Sequence, residues 1–365
     1  MTTASVGGCS RQQLGELVQQ LGEAPYRADQ IRVHAWQGTS DGFGDMGNLP
    51  AGLRRALPPS IEWSSLALVQ ATAADRGLTE KLLLRARDGQ EIEAVMIRHE
   101  GSATSHPRRT VCVSSQVGCA IGCTFCATGQ LGLRRNLAAG EIVDQVLIAA
   151  RRWGREGAGA PTNVVYMGMG EPLQNYSAVV TSIRLLQEWG VSPRRVVVST
   201  SGLVEEMDRL ASEGLPLRLA ISLHATSDAV RDRLVPLNRR YPIAELIRAG
   251  RRFSALTGRR VSLEYVLIAG VNDSVDDASR LRRLTAELHG HVNLIPMNRI
   301  PGSELQAPGM AACREFAARV GPRATLRFSR GDRATAACGQ LRASMEADLR
   351  RIRRADERLA QPSRP

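Results

Sequence analysis

Cys119, Cys123 and Cys126 stand in the string Cys-Ala-Ile-Gly-Cys-Thr-Phe-Cys, spaced CxxxCxxC, and thiols crowded this closely are a metal-binding arrangement. Thiolates are the preferred ligands of iron–sulfur clusters, whose motifs mostly supply four cysteines. This loop supplies three, and no fourth cysteine lies near it. A [4Fe–4S] cubane held by three thiolates keeps one iron open for a further ligand. Zinc is the competing occupant, although a structural zinc usually takes two separated ligand pairs and no second pair follows here.

Further strings surround this loop. Cys112-Val-Ser-Ser-Gln-Val-Gly-Cys119 runs directly into it, and Gly168-Met-Gly-Glu-Pro-Leu173, Ser199-Thr-Ser-Gly202, Ile221-Ser-Leu-His224, Leu234-Val-Pro-Leu-Asn238, Asn293-Leu-Ile-Pro296 and Ala336-Ala-Cys-Gly-Gln-Leu341 follow in order. With Phe125 just before the third cysteine, the spacing resembles that of the radical S-adenosylmethionine (SAM) enzymes. Taken together the strings resemble the bacterial RNA methyltransferases that modify carbon 2 of adenosine in 23S ribosomal RNA and in tRNA. The similarity reaches upstream through Pro25-Tyr-Arg-Ala-Asp-Gln30 and Ile92-Glu-Ala-Val95, so it covers most of residues 14–342.

The resemblance implies one [4Fe–4S] cluster per chain on Cys119, Cys123 and Cys126, and two SAM molecules per turnover. It implies that Gly170 and Glu171 hold the SAM amino group, and that Ser199, Ser222, Leu223, His224 and Asn298 hold the rest. Read without it, Gly168-Met-Gly-Glu171 is equally a tight turn with an exposed glutamate, and His224 a satisfied histidine at a strand end. Cys338 and Cys112, by default structural thiols, become a catalytic pair. Carbon 2 of adenine is electron-poor and cannot attack a sulfonium methyl. The implied route therefore methylates Cys338 with one SAM, abstracts hydrogen from that methyl with a 5′-deoxyadenosyl radical from a second, and adds the methylene to the base. Cys112 then resolves the adduct, leaving a Cys112–Cys338 disulfide. Glu93 matches a residue the family uses as proton acceptor, although strand alternation alone makes it an exposed carboxylate. Cys9 and Cys313 have no counterpart role.

Two departures from the family pattern touch substrate positioning: Arg330-Gly-Asp-Arg-Ala-Thr335 before the Ala-Ala-Cys segment, and Arg299 where proline is common. Three competing functions remain: a carbon-8 methyltransferase of the antibiotic-resistance type, a radical SAM enzyme with another substrate, and a non-catalytic iron–sulfur RNA-binding protein. Pro172 and Leu173 favour carbon 2 over carbon 8.

A net charge of +12 fits a polyanionic partner, since cationic side chains displace counterions from phosphates. Of the 48 lysine and arginine residues only Lys81 is lysine, so a bias toward arginine codons accounts for the type of cation. There is no apolar run long enough to span a bilayer and no signal-like N-terminus. With three of seven cysteines in one loop, a reducing cytoplasm is expected rather than a disulfide framework. The expected partners are 23S rRNA, tRNA and an electron donor such as flavodoxin or ferredoxin, with the protein a monomer away from membranes.

Positioning this chemistry requires a scaffold, and the periodicities describe one. Residues 11–58 carry apolar positions at helical spacing, and 61–99 read as short strands around the turn Ala86–Gln90. From 110 onward strands and helices alternate, which implies a parallel sheet. Motif after motif falls at a strand's C-terminal end, where α/β barrels gather their chemistry. The alternation fits either a barrel or a doubly wound sheet, and the resemblance implies a partial (β/α)6 radical SAM barrel. The expected fold is therefore α/β, with a small N-terminal helical and β accessory domain (1–104), that barrel (105–343) and a basic C-terminal tail (344–365), the last read as a surface helix with a frayed end.

Overall fold

The computed structural model describes residues 4–101, 106–300, 303–327 and 339–341. Three helices open the chain: α1 (Arg11–Gln20), α2 (Arg27–Gln37) and α3 (Ala51–Ser60). Ser10 starts α1 with a capping box, accepting from Gln13 N–H at 3.1 Å while the Gln13 side chain accepts from Ser10 N–H at 2.9 Å. Leu14, Val18, Ile31, Leu53 and Leu57, spaced at helical intervals, form the buried face of this module. Strands β1 (Leu66–Ala74), β2 (Thr79–Ala86) and β3 (Glu91–His99) follow as an antiparallel meander, its second turn closed by Gln90 O accepting from Ala86 N–H at 2.8 Å.

Strand β4 (Arg108–Cys112) pairs antiparallel with β3 and parallel with the next strand of the sheet, so the N-terminal meander and the parallel strands share one ten-stranded sheet. A small hairpin, β5 (Gln116–Gly118) and β6 (Leu133–Asn136), encloses the cysteine loop and the short helix α4 (Ala127–Gln130). Then come α5 (Ala139–Arg155), β7 (Asn163–Tyr166), α6 (Tyr176–Glu188), β8 (Val196–Thr200), α7 (Val204–Ala211), β9 (Arg218–Ser222), α8 (Asp228–Leu234), α9 (Ile243–Thr257), β10 (Ser262–Leu267), α10 (Val275–Glu287), β11 (His291–Pro296), α11 (Met310–Val320) and β12 (Ala324–Leu326). The sheet order β1-β2-β3-β4-β7-β8-β9-β10-β11-β12 is parallel from β4 onward. Each crossover carries helix, as parallel pairing requires. Among the described residues β12 pairs only with β11, so the barrel is partial. Val111, Val164, Val198, Leu219, Leu263 and Leu294 are fully buried, as expected of strands covered on both faces.

The helical module is fastened to α5 by close backbone approach. Gly38 ends α2 at φ 72°, and a Cβ added at Gly154 of α5 would stand 1.9 Å from the carbonyl oxygen of Gln37. Buried Asp144 of α5 accepts from both Ser65 N–H (2.7 Å) and Ser65 Oγ–H (2.6 Å) at the entry to β1. Gly154→Ala should therefore force α2 and α5 apart and cost about 1–3 kcal/mol. A denaturant midpoint equal to that of the unsubstituted protein would show that this contact does not hold the module.

Candidate active site

The cysteine loop is shaped from both ends by the β5–β6 hairpin, with Gly132 O accepting from Cys119 N–H at 3.0 Å. Inside the loop Cys123 O accepts from Cys126 N–H at 3.2 Å, and α4 begins directly after Cys126. Three contacts from distant segments hold it in place. Leu234 O at the end of α8 accepts from Thr124 N–H (3.1 Å), Gly339 O accepts from Ala127 N–H (2.8 Å), and Leu341 O accepts from Thr128 Oγ–H (2.6 Å).

These contacts bring Cys119, Cys123 and Cys126 to the wall of a cavity at the C-terminal ends of the parallel strands, with an empty volume of about 960 Å³ that opens to solvent. The same cavity is lined by Gly170, Glu171, Ser199, Ser222, His224 and Asn298, so six of the seven expected SAM-binding positions share it with the thiols. Leu223 is fully buried beside it, its N–H donating to Glu264 O and its carbonyl accepting from the Arg231 guanidinium. Gly339, the residue after Cys338, also lines the cavity; Cys338 itself lies outside the described residues. So do the Arg330–Thr335 departure and the basic tail.

Burial pushes all three loop thiols up, Cys119 to about 12, and at Cys123 the neighbouring sulfurs push in the same direction. A donor set of this kind gives up its protons to a metal and gains most from a cationic one. Among the described residues no group of three or more His, Cys, Asp or Glu side chains converges on a single ion. All three thiols line the one cavity, and an all-cysteine donor set is the one that iron–sulfur clusters take.

Glu171 is a buried carboxylate of the site. Its Oε2 accepts from Ser201 N–H and Oγ–H, both at 2.7 Å, and its Oε1 from Leu173 N–H at 3.1 Å. Burial raises its pKa, and among the described residues it forms no ion pair. A carboxylate in that state gains from an incoming ammonium. Glu171 owes its position to Gly170, at φ 100°, where an added Cβ would lie 2.6 Å from that of Gln116.

His224 accepts from Val266 N–H through Nδ1 at 3.1 Å, which leaves the proton of the neutral ring on Nε2. Burial, with help from the Arg231 charge, lowers its pKa to about 3, so the ring stays neutral. Phe125 meets it edge-on at 4.7 Å between centroids, linking the aromatic residue of the cysteine motif to the strand-end histidine. Ser199 Oγ and Ser222 Oγ lie 3.3 Å apart on neighbouring strands.

Cys112 and Glu93 do not line the cavity. Cys112 ends β4, nearly buried and in register with Val95 of β3. Strand alternation had made Glu93 an exposed carboxylate; it is buried, and its Oε1 lies 2.9 Å from Lys81 Nζ. Lys81, the chain's one lysine, is itself opposite Val95, which places it in the same cross-strand row as Cys112. Cys313 is buried in α11 and Cys9 near the first helix, both remote from the cysteine loop in the fold.

Glu264 was not anticipated from the sequence. It faces the cavity from β10, in register with Ser222 on one side and Asn293 on the other. Asn293 donates to it at 2.7 Å and is in turn approached by Arg327 at 2.6 Å. Burial raises its pKa from 4.5 to about 7. The available signal was a lone acidic residue in the apolar strand Ser262-Leu-Glu-Tyr-Val.

Comparison with known proteins gives a consistent result. Residues 113–281 match the family model described as the radical SAM superfamily, and residues 5–62 match that of the ribosomal RNA large subunit methyltransferase N-terminal domain. The probable dual-specificity RNA methyltransferase RlmN of Moorella thermoacetica is 46% identical over 348 residues, covering 93% of this chain and 98% of the relative. The dual-specificity RNA methyltransferase RlmN of an Anaeromyxobacter species is 46% identical over 342 residues, covering 90% and 88%. The crystal structure of a radical SAM methyltransferase from Sphaerobacter thermophilus superimposes with a TM-score of 0.87 at 47% identity, covering 93% of this chain and 99% of that one.

The raised Glu264 makes a stability prediction for the cofactor-free protein. Between pH 4.5 and about 7 the folded state keeps a proton that the unfolded chain has released, so rising pH in that window lowers stability. Glu264→Gln should remove a loss on the order of 3 kcal/mol across the window. Denaturation midpoints falling equally with pH in both proteins would place the carboxylate in water instead.

Proposed function

The chain belongs to the dual-specificity RNA methyltransferase family of the radical SAM superfamily, and from that premise we propose that it methylates carbon 2 of adenosine in 23S ribosomal RNA and in tRNA. The observation that carries this reading is the shared cavity: three cysteines, the Gly170–Glu171 turn and the residue following Cys338 all line it.

In this reading Cys119, Cys123 and Cys126 hold a [4Fe–4S] cluster. Glu171 takes the SAM ammonium, which answers its buried charge, while Gly170 leaves room for the ligand to approach the backbone. Ser199, Ser222, Leu223 and Asn298 hold the remainder of the molecule, with His224 donating through Nε2. When bound, cluster and SAM together supply a carbon-centred radical able to take hydrogen from an unactivated methyl group. Cys338 carries that methyl, having taken it on its thiolate from a first SAM. Its segment is tied to the cysteine loop through Gly339 and Leu341, which supports delivery of Cys338 to the cavity.

Once the methylene has added, the adduct would return one electron to the oxidised cluster and lose the proton of the attacked ring carbon. The Cys112 thiolate then attacks the sulfur of Cys338, forming a disulfide, and the methylene carbon takes up a proton with the released C–S electron pair to give the methyl group. Glu93, held beside Lys81, accepts a proton in this resolution. The residues Pro172 and Leu173, by which the chain resembles the carbon-2 rather than the carbon-8 enzymes, support carbon 2. The excess of positive charge supports an RNA partner. Cys9, Cys119, Cys123, Cys126 and Cys313 are free thiols, and no helix among the described residues is long and apolar enough to cross a membrane. Both support a cytoplasmic protein, proposed as a monomer reduced by a flavodoxin or ferredoxin.

Nucleoside mass spectrometry of RNA treated with the reconstituted protein tests the reading. The expected product is 2-methyladenosine. Cys338→Ala should retain the cluster and give none, and Cys112→Ala should trap a covalent RNA adduct. Mainly 8-methyladenosine would overturn the carbon-2 assignment, and methylation by Cys338→Ala at the normal rate would overturn the two-cysteine route.

A further inference from the structure

Among the described residues Arg231 is the most fully enclosed cation: its side chain is among the largest with essentially no solvent exposure. Its guanidinium donates from Nε to Leu223 O (3.0 Å), from Nη1 to Asn238 Oδ1 (3.0 Å) and from Nη2 to Ser201 O (2.7 Å) and Ser222 O (3.0 Å). All four acceptors are neutral, and among the described residues no carboxylate comes within ion-pair distance. Asp228 and Asp232, the nearest acids, are turned toward Asn238 Nδ2 instead (3.1 and 2.6 Å). A buried charge without a direct ion pair is costly, and the Asp228 and Asp232 charges favour this one only from beyond pairing distance. Burial lowers the pKa of this guanidinium to about 10.

The missing negative charge has an evident source. Arg231 sits on α8, whose last carbonyl binds Thr124 of the cysteine loop at 3.1 Å. Ser201 and Ser222, which it braces, line the same cavity as the three thiols. Resting on the cluster assignment above, we propose that Arg231 is the buried counter-charge of the cysteine-bound cluster, a positioning residue that raises its reduction potential while clamping the two strand-end turns that hold SAM. Lysine in its place keeps the charge but not the fork of donors; methionine keeps neither.

The test uses the full-length protein, reconstituted anaerobically as wild type, Arg231→Met and Arg231→Lys, with iron content measured and midpoint potentials taken by redox titration followed by electron paramagnetic resonance. The Arg231→Met cluster should be at least about tenfold harder to reduce, about 59 mV more negative for one electron. Arg231→Lys should stay near the wild-type potential while binding SAM more weakly. A loaded Arg231→Met protein with an unchanged potential overturns the proposal alone. If that variant does not fold, the lysine variant decides: a wild-type potential supports the counter-charge, and a potential as negative as that expected for methionine overturns it. Wild-type protein that holds no cluster would overturn the cofactor assignment itself.

Discussion

Keeping charge out of water at the C-terminal mouth of a parallel sheet is the constraint on which the rest of this molecule depends. Three thiols and the Glu171 and Glu264 carboxylates line one cavity, with the Arg231 guanidinium behind its wall on the Ser201 and Ser222 carbonyls, all shifted by burial toward their uncharged forms. Such a site is unfavourable by itself. It becomes favourable when a ligand set brings the complementary charges: metal for the thiolates, an ammonium for Glu171, a reducible anionic cluster for Arg231. The arrangement is thus less a store of stability than a preformed demand for its cofactors.

The scaffold meets that demand by converging distant segments on a short loop. The β5–β6 hairpin sets its ends, α8 holds Thr124, and residues 339–341 bind α4. Apart from the Thr128 hydroxyl on Leu341 O these ties are backbone to backbone, so most of the loop's geometry follows from where the strands and helices end rather than from side-chain identity. The same convergence carries the segment of Cys338 toward the cluster loop. On the other side of the sheet the N-terminal meander continues the hydrogen-bonding from β4, which sets buried Glu93 and Lys81 in the neighbourhood of Cys112.

Much of this was legible in the sequence because it rests on local signals. The CxxxCxxC spacing, the glycines at Gly168 and Gly170 and the alternation of apolar strands with amphipathic helices each act within a few residues. The metal-binding loop and the parallel sheet follow from them, while the partial barrel and the radical SAM chemistry followed from the resemblance of the ordered strings to a known family. What escaped depends on contacts between remote segments. The helix α8 is only seven residues long, too short for periodicity to declare it, yet it carries Arg231. Glu264 looks like an ordinary strand carboxylate until its register with Ser222 and Asn293 is known. Glu93 was misplaced on the surface because a period of two assumes that one face meets water, whereas β3 is an interior strand with both neighbours paired.

The central claim is that the methyl group reaches the base by way of Cys338 and loses a hydrogen on the journey. It is tested most directly by supplying SAM whose sulfonium methyl carries three deuteriums and weighing the methyladenosine released from the RNA. Transfer through methyl-Cys338 requires one deuterium to be abstracted and later replaced by hydrogen, so the product methyl should hold two. A product that retains all three would mean direct polar transfer from the sulfonium and would contradict the account.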